Sequence, residues 1–96
     1  MNRGKESSLK QVINQYLDRT RLRDKYNEAR LTASWEQIVG KTVAGHTTSI
    51  MIRDRKLMLS VDSSPLKQEL THLSQQVLKL CNEFLGHEAV NELVLR

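Results

Sequence analysis

WEQIVGKTVAGHT, residues Trp35–Thr47, is the stretch on which the reading of this chain turns. It starts as a helix, passes Gly40 and Gly45, and delivers His46 and Thr47 into a first strand. Trp35 is the only Trp in a chain with four aromatic residues. One indole buries more apolar area than any other side chain here, so Trp35 is the expected core anchor. Gly40 or Gly45 supplies the helix stop.

Upstream of Trp35, apolar positions predict two helices. Leu9, Val12, Ile13, Tyr16 and Leu17 follow the i, i+3, i+4, i+7, i+8 pattern of a one-sided helix, capped by Ser7 or Ser8 and ending near Asp18. Residues 1–7 are polar and expected to be flexible. A second helix is expected from Leu22 to Val39. Leu22, Tyr26, Ala29 and Ala33 lie on one side of it, and Leu31, Trp35, Ile38 and Thr42 roughly opposite. A straight helix buries both sets only between two surfaces, so this one is expected to be sandwiched between the first helix and a sheet, in preference to breaking near Thr32.

Downstream, residues 47–62 read as a β-hairpin. Ile50 and Ile52 alternate on one strand and Leu57, Leu59 and Val61 on the other, with the turn at Asp54-Arg55. Ser64 as N-cap and Pro65 at the first helical position open a further helix. Leu66, Leu70, Leu73, Val77, Leu80, Cys81 and Phe84 trace its apolar face, and Gly86 ends it. Val90, Leu93 and Leu95 make a short last strand. The β-α-β end is long enough for a right-handed crossover, so the second and third strands should run parallel. The fold class is α+β, in the order α-α-β-β-α-β, with a three-stranded mixed sheet and helices packed on one face. Residues 1–96 form a single domain.

Apolar content of 39% against 27% charged residues is that of a globular chain, not a disordered one. No apolar run is long enough for a membrane helix. The N-terminus lacks the apolar core of a secretory signal. Cys81, the one cysteine, excludes an internal disulfide and fits a reducing cytoplasm. The net charge of +4 is uneven: residues 1–30 hold eight Lys/Arg against four Asp/Glu, whereas residues 63–96 hold three against four. The basic end favours an anionic partner. Its members are Arg19, Arg21, Arg23, Lys25 and Arg30. The hairpin tip adds Arg53, Arg55 and Lys56. Such clusters suit nucleic-acid phosphates through counterion release, but with only Tyr26 interleaved they do not make a base-stacking platform.

Catalytic motifs are poorly supported. Gly40-Lys41-Thr42 imitates the end of a phosphate-binding loop, but Trp35 stands where its first glycine belongs, and strand and helix come in the reverse order. The element order resembles a KH-like fold, yet Gly40 and Gly45 are too far apart for its GxxG clamp. His46, His72 and His87 lack metal-ligand spacing. Asp62-Ser63-Ser64 reads better as capping than as a nucleophile group. No enzyme activity, metal, cofactor or small-molecule substrate is expected.

Three blocks together resemble the DciA family of small bacterial proteins. They are Ser34–Thr47, the hairpin and helix start Ile52–Leu70, and the tail Leu80–Arg96 with its apolar–Asn–x–x–apolar–Gly stretch. The resemblance covers roughly residues 8–96. It implies a KH-like domain that binds the replicative helicase DnaB, helps to place it on DNA, and itself contacts DNA through basic residues. Trp35 and Gly40 match the family's Trp and Gly, which implies a structural or partner-binding role for them. Arg55 departs from the family, where glycine is usual in the turn. The alternative is a general DNA- or RNA-binding module on the same scaffold.

Overall fold

The structure, a computed structural model, describes the backbone of residues 2–20 and 22–96 and the side chains of residues 8–18 and 22–96. Its elements are α1 (Asn2–Thr20), α2 (Leu22–Ala33), α3 (Trp35–Val39), α4 (Lys41–His46), β1 (Thr47–Arg53), β2 (Lys56–Val61), α5 (Ser64–His72), α6 (Ser74–Leu85) and β3 (Glu92–Leu95). The α+β class and the element order agree with the sequence reading once two helices are each divided in two and the short helix α4 is added before β1.

The sheet has the order β1-β2-β3, with β1 and β2 antiparallel and β2 and β3 parallel. In β1–β2 the register pairs Ile52 with Leu57 and Ile50 with Leu59; in β2–β3, Leu57 with Leu93 and Leu59 with Leu95. Alternation then sends these side chains to one face. There they meet Leu31, Trp35, Leu70, Val77, Leu78, Cys81, Leu85 and Val90 in one core. The opposite face carries the Met51–Met58–Val94 row and the Ser49–Ser60 hydroxyl pair, 3.0 Å apart. The hairpin turns at Asp54 and Arg55, both with positive φ (51° and 65°). Positive φ at both central residues is the turn geometry whose twist matches the strands, here reached without glycine.

The expected second helix is not continuous. It breaks at Ser34 (φ −121°, ψ 18°), which forms no side-chain cap. Asn27, Leu31 and Trp35 form the buried line, and Leu22 and Tyr26 are left exposed. One set of apolar residues is therefore buried rather than two, and the sandwich is not formed. Gly40 then separates α3 from α4 with φ 93° and ψ 166°, a region that only glycine enters freely. An added Cβ there would meet nothing within 4 Å, so the constraint is the backbone angle alone.

The helix expected across 64–85 also divides, at Leu73 (φ −101°, ψ 16°), whose N–H is shared between the carbonyls of Glu69 and Leu70. This shifts the phase of the second half. Val77, Leu78, Cys81 and Leu85 are buried, while Leu73 and Leu80, expected on the apolar face, are exposed. The cap falls one residue early: the Ser63 hydroxyl accepts the Leu66 N–H at 3.3 Å, with Pro65 in the first turn.

The largest departure is α1. It starts at Asn2 rather than Ser7 or Ser8, and its apolar stripe is not packed on the core. The long dimension of 54 Å against 23 and 20 Å, and a radius of gyration of 15.3 Å, reflect this projection. A compact chain of this length would have a radius of about 12–13 Å.

Candidate nucleic-acid interface

Of the cations expected to face nucleic acid, Arg19 and Arg21 fall outside the described side chains. The structure divides the others into two groups. Arg23, Arg30 and Arg55 are engaged within the chain. Lys25, Arg53 and Lys56 are exposed and form no ion pair among the described residues.

Arg23 joins α2 to α1. Its Nε donates to Asp18 Oδ1 at 2.6 Å, and its Nη2 reaches the Asn14 carbonyl and Oδ1 at 3.2 Å. Arg30 closes α2 onto the end of α6. Its Nη1 donates to the Leu85 carbonyl at 3.3 Å and its Nη2 to the Phe84 carbonyl at 3.4 Å. Its guanidinium also lies 5.3 Å from the Phe84 ring centroid and 5.9 Å from that of Tyr26. A cation there meets both the aromatic faces and the negative end of the helix dipole. Arg55 Nη2 donates to the Glu88 carbonyl at 3.0 Å, tying the hairpin tip to the loop before β3.

Lys25 and Arg53 line one cleft of about 480 Å³ between α2 and the hairpin. Lys56 stands beside Arg53 in the β1–β2 register. Cations of α2 and of the hairpin tip thus share one side, but the surface is mixed in sign. Asp24, Glu28 and Asp54 line the same cleft. Glu28 also braces the fold, because its Oε2 accepts the Ile52 N–H at 3.1 Å on the outer edge of β1. A helical carboxylate thereby occupies part of an edge that would otherwise be open to strand pairing. Sequence reasoning missed Glu28, because nothing local marks a residue that caps a strand 24 positions away.

Trp35 is 5% exposed, and its Nε1 donates to Thr47 Oγ1 at 3.0 Å; that hydroxyl in turn donates to the Val43 carbonyl at 2.7 Å. The indole is a packed and satisfied core residue that ties α3 to the α4–β1 junction. His46 Nδ1 lies 2.8 Å from Asp62 Oδ1, and the Asp62 N–H donates to the His46 carbonyl at 3.0 Å. This half-exposed pair clasps the start of β1 to the end of β2. Among the described residues no three His, Cys, Asp or Glu side chains converge as metal ligands, and no helix is long and apolar enough to cross a membrane.

A second, open hollow of about 670 Å³ lies at the end of α6. Asn82 there is turned onto the chain itself. Its Nδ2 donates to the Val90 carbonyl at 2.8 Å, and its Oδ1 accepts the N–H groups of Ala89 at 2.9 Å and Val90 at 3.0 Å. With Gly86 left-handed at φ 85°, this fixes the loop that feeds β3.

Comparison with known families matches residues 8–95 to the family described as "Dna[CI] antecedent, DciA". The chain belongs to the DciA family. A curated relative, "UPF0232 protein" of Corynebacterium glutamicum (strain R), is 33% identical over 91 residues, covering 95% of this chain and 51% of the relative. This DciA domain therefore spans about half the length of that relative. The apolar–Asn–x–x–apolar–Gly stretch that carried part of the resemblance is Cys81–Gly86, and its Asn and Gly hold the β3 loop. In this DciA domain Trp35 and Gly40 serve the core and the α3–α4 corner.

Proposed function

We propose that this DciA-family domain is a non-enzymatic adaptor of DNA replication, acting in the bacterial cytoplasm. It binds the replicative helicase DnaB and promotes its loading on DNA. Its DNA contacts are made by Lys25, Arg53 and Lys56, with Arg19 and Arg21 included on the charge pattern of the sequence. Arg23, Arg30 and Arg55 support this surface from within the chain.

The family match over residues 8–95 carries this reading. The geometry supports its division of labour. Three exposed cations beside a cleft that also holds three carboxylates suit a backbone contact of modest strength, not tight independent binding. This favours an adaptor that relies on its protein partner over a stand-alone nucleic-acid module.

The test is helicase occupancy on a single-stranded DNA circle, measured with and without the domain. Occupancy should rise with added domain and should fall back in the Lys25→Ala, Arg53→Ala, Lys56→Ala triple variant. Unchanged occupancy with a folded, saturating domain would overturn the adaptor reading.

A further inference from the structure

The apolar stripe of α1 is the most exposed apolar surface of the described chain. Leu9, Val12, Ile13 and Tyr16 are each between 50% and 62% exposed. The helix meets the rest of the chain chiefly through α2. Two features set this stripe apart from an ordinary solvated helix. First, between Ser8 and Leu17 the only charged residue is Lys10, whereas five of the twelve residues of α2 are charged. Second, the stretch contains β-branched Val12 and Ile13 and no internal i, i+4 ion pair. Helices of this kind draw their stability from packing, not from propensity.

The pattern admits a second copy of the same helix as its cover. Positions 9, 12, 13 and 16 are symmetric about the point between Val12 and Ile13. An antiparallel copy of the same helix, related by a two-fold axis through that point, sets Leu9 against Tyr16 and Val12 against Ile13 in both directions. At 100° per residue, Lys10 and Leu17 flank the stripe on one side, and Ser8 and Gln15 on the other. The two-fold places the Lys10 methylenes over the second copy's Leu17, and Ser8 beside its Gln15. An apolar seam and a nearly uncharged rim suit neither a phosphate backbone nor a strongly charged protein surface.

We propose that α1 is a homodimerisation helix, pairing antiparallel with α1 of a second copy through Leu9, Val12, Ile13 and Tyr16. Each stripe offers on the order of 400 Å² of exposed apolar surface, the size of patch that marks an interaction site. Two stripes with their rims bury about 1,000 Å², at the lower end of specific interfaces. The dimer is therefore weak and concentration-dependent, and it presents two domains at opposite ends of one helix pair. It stands apart from helicase binding and does not need it.

Sedimentation equilibrium of the chain from about 5 to 500 µM tests this. The expected result is a monomer–dimer equilibrium that Ile13→Lys weakens roughly tenfold or more, a shift of at least 1.4 kcal/mol. Trp35 fluorescence should show unchanged thermal unfolding in that variant, because Ile13 lies outside the core. Val12→Cys should form an interchain disulfide on mild oxidation; Cys81 is buried and stays out of the reaction. A chain that remains monomeric at the highest concentration would overturn the proposal, as would a dimer indifferent to Ile13→Lys. A monomeric chain whose helicase binding is lost in Ile13→Lys would assign the stripe to the partner protein instead, and would equally overturn it.

Discussion

Replacing Arg30 by Ala separates two roles that one cation can have: facing a phosphate, or holding the fold. The structure gives Arg30 two hydrogen bonds to carbonyls at the end of α6, of 3.3 and 3.4 Å, and two aromatic neighbours. A hydrogen bond from a charged donor contributes about 1.5–3 kcal/mol, and bonds this long belong at or below the low end of that range. The helix C-terminus adds about 0.3–1 kcal/mol and a partly exposed cation–π contact about 0.5–1 kcal/mol. These terms overlap, so Arg30→Ala should cost about 1–3 kcal/mol in all. For a domain of this size that is a fall in Tm of roughly 5–15 °C. Differential scanning calorimetry measures the stability, and fluorescence anisotropy with labelled single-stranded DNA measures binding by the folded variant below its lowered Tm. Binding should change less than about twofold, under 0.5 kcal/mol. A variant with unaltered Tm and sharply weakened DNA binding would refute the assignment of Arg30 to the fold.

The exposed cations should behave in the opposite way. Lys25→Ala, Arg53→Ala and Lys56→Ala together should leave Tm nearly unchanged and reduce the slope of log affinity against log salt by up to about 3, as read by DNA titrations at several salt concentrations. Asn82→Ala removes three hydrogen bonds to the loop before β3 and should cost about 2–3 kcal/mol in urea unfolding. Arg55→Gly relieves a left-handed non-glycine residue at φ 65°; against the loss of the Glu88 contact it should still gain up to about 1 kcal/mol, seen as a higher urea midpoint. Burial pushes the Cys81 thiol up to about 12. The unfolded chain loses this proton first, near the ordinary thiol value, so the folded state holds more protons in that window. The stability from the buried neutral thiol is thus complete below about pH 8 and is lost as pH rises towards 12, by up to about 1.4 kcal/mol per pH unit. Cys81→Ala should remove that part of the alkaline decline, read as the difference between the two urea-unfolding profiles against pH.

The legible parts of the fold were those set by short-range rules. Alternation over residues 47–62, Pro65 in a first turn and Gly86 at a helix end gave the hairpin, the start of α5 and the end of α6. Chain length gave the parallel direction of β2 and β3, but not which strand β3 pairs with, since a crossover of this length reaches either edge of the hairpin. The breaks at Ser34 and Leu73 were not legible, because neither residue breaks a helix by its own chemistry. The stripe on α1 was legible as apolar but not as exposed, since periodicity shows which residues share a face and not what the face meets. The candidate site suffered from the same limit. Charge counting found the cations, but only coordinates show that Arg23, Arg30 and Arg55 bond to Asp18 and Asn14, to Phe84 and Leu85, and to Glu88. The carboxylates of Asp24, Glu28 and Asp54 are scattered in sequence and come together only through the packing of α2 beside β1.

Isothermal titration calorimetry of the folded domain into the replicative helicase of the same cell tests the adaptor role most directly. Saturable heat with a dissociation constant at or below tens of micromolar, about −6 kcal/mol or tighter, is the expected result. Absence of binding in that range, with Trp35 emission confirming a folded sample, would contradict it.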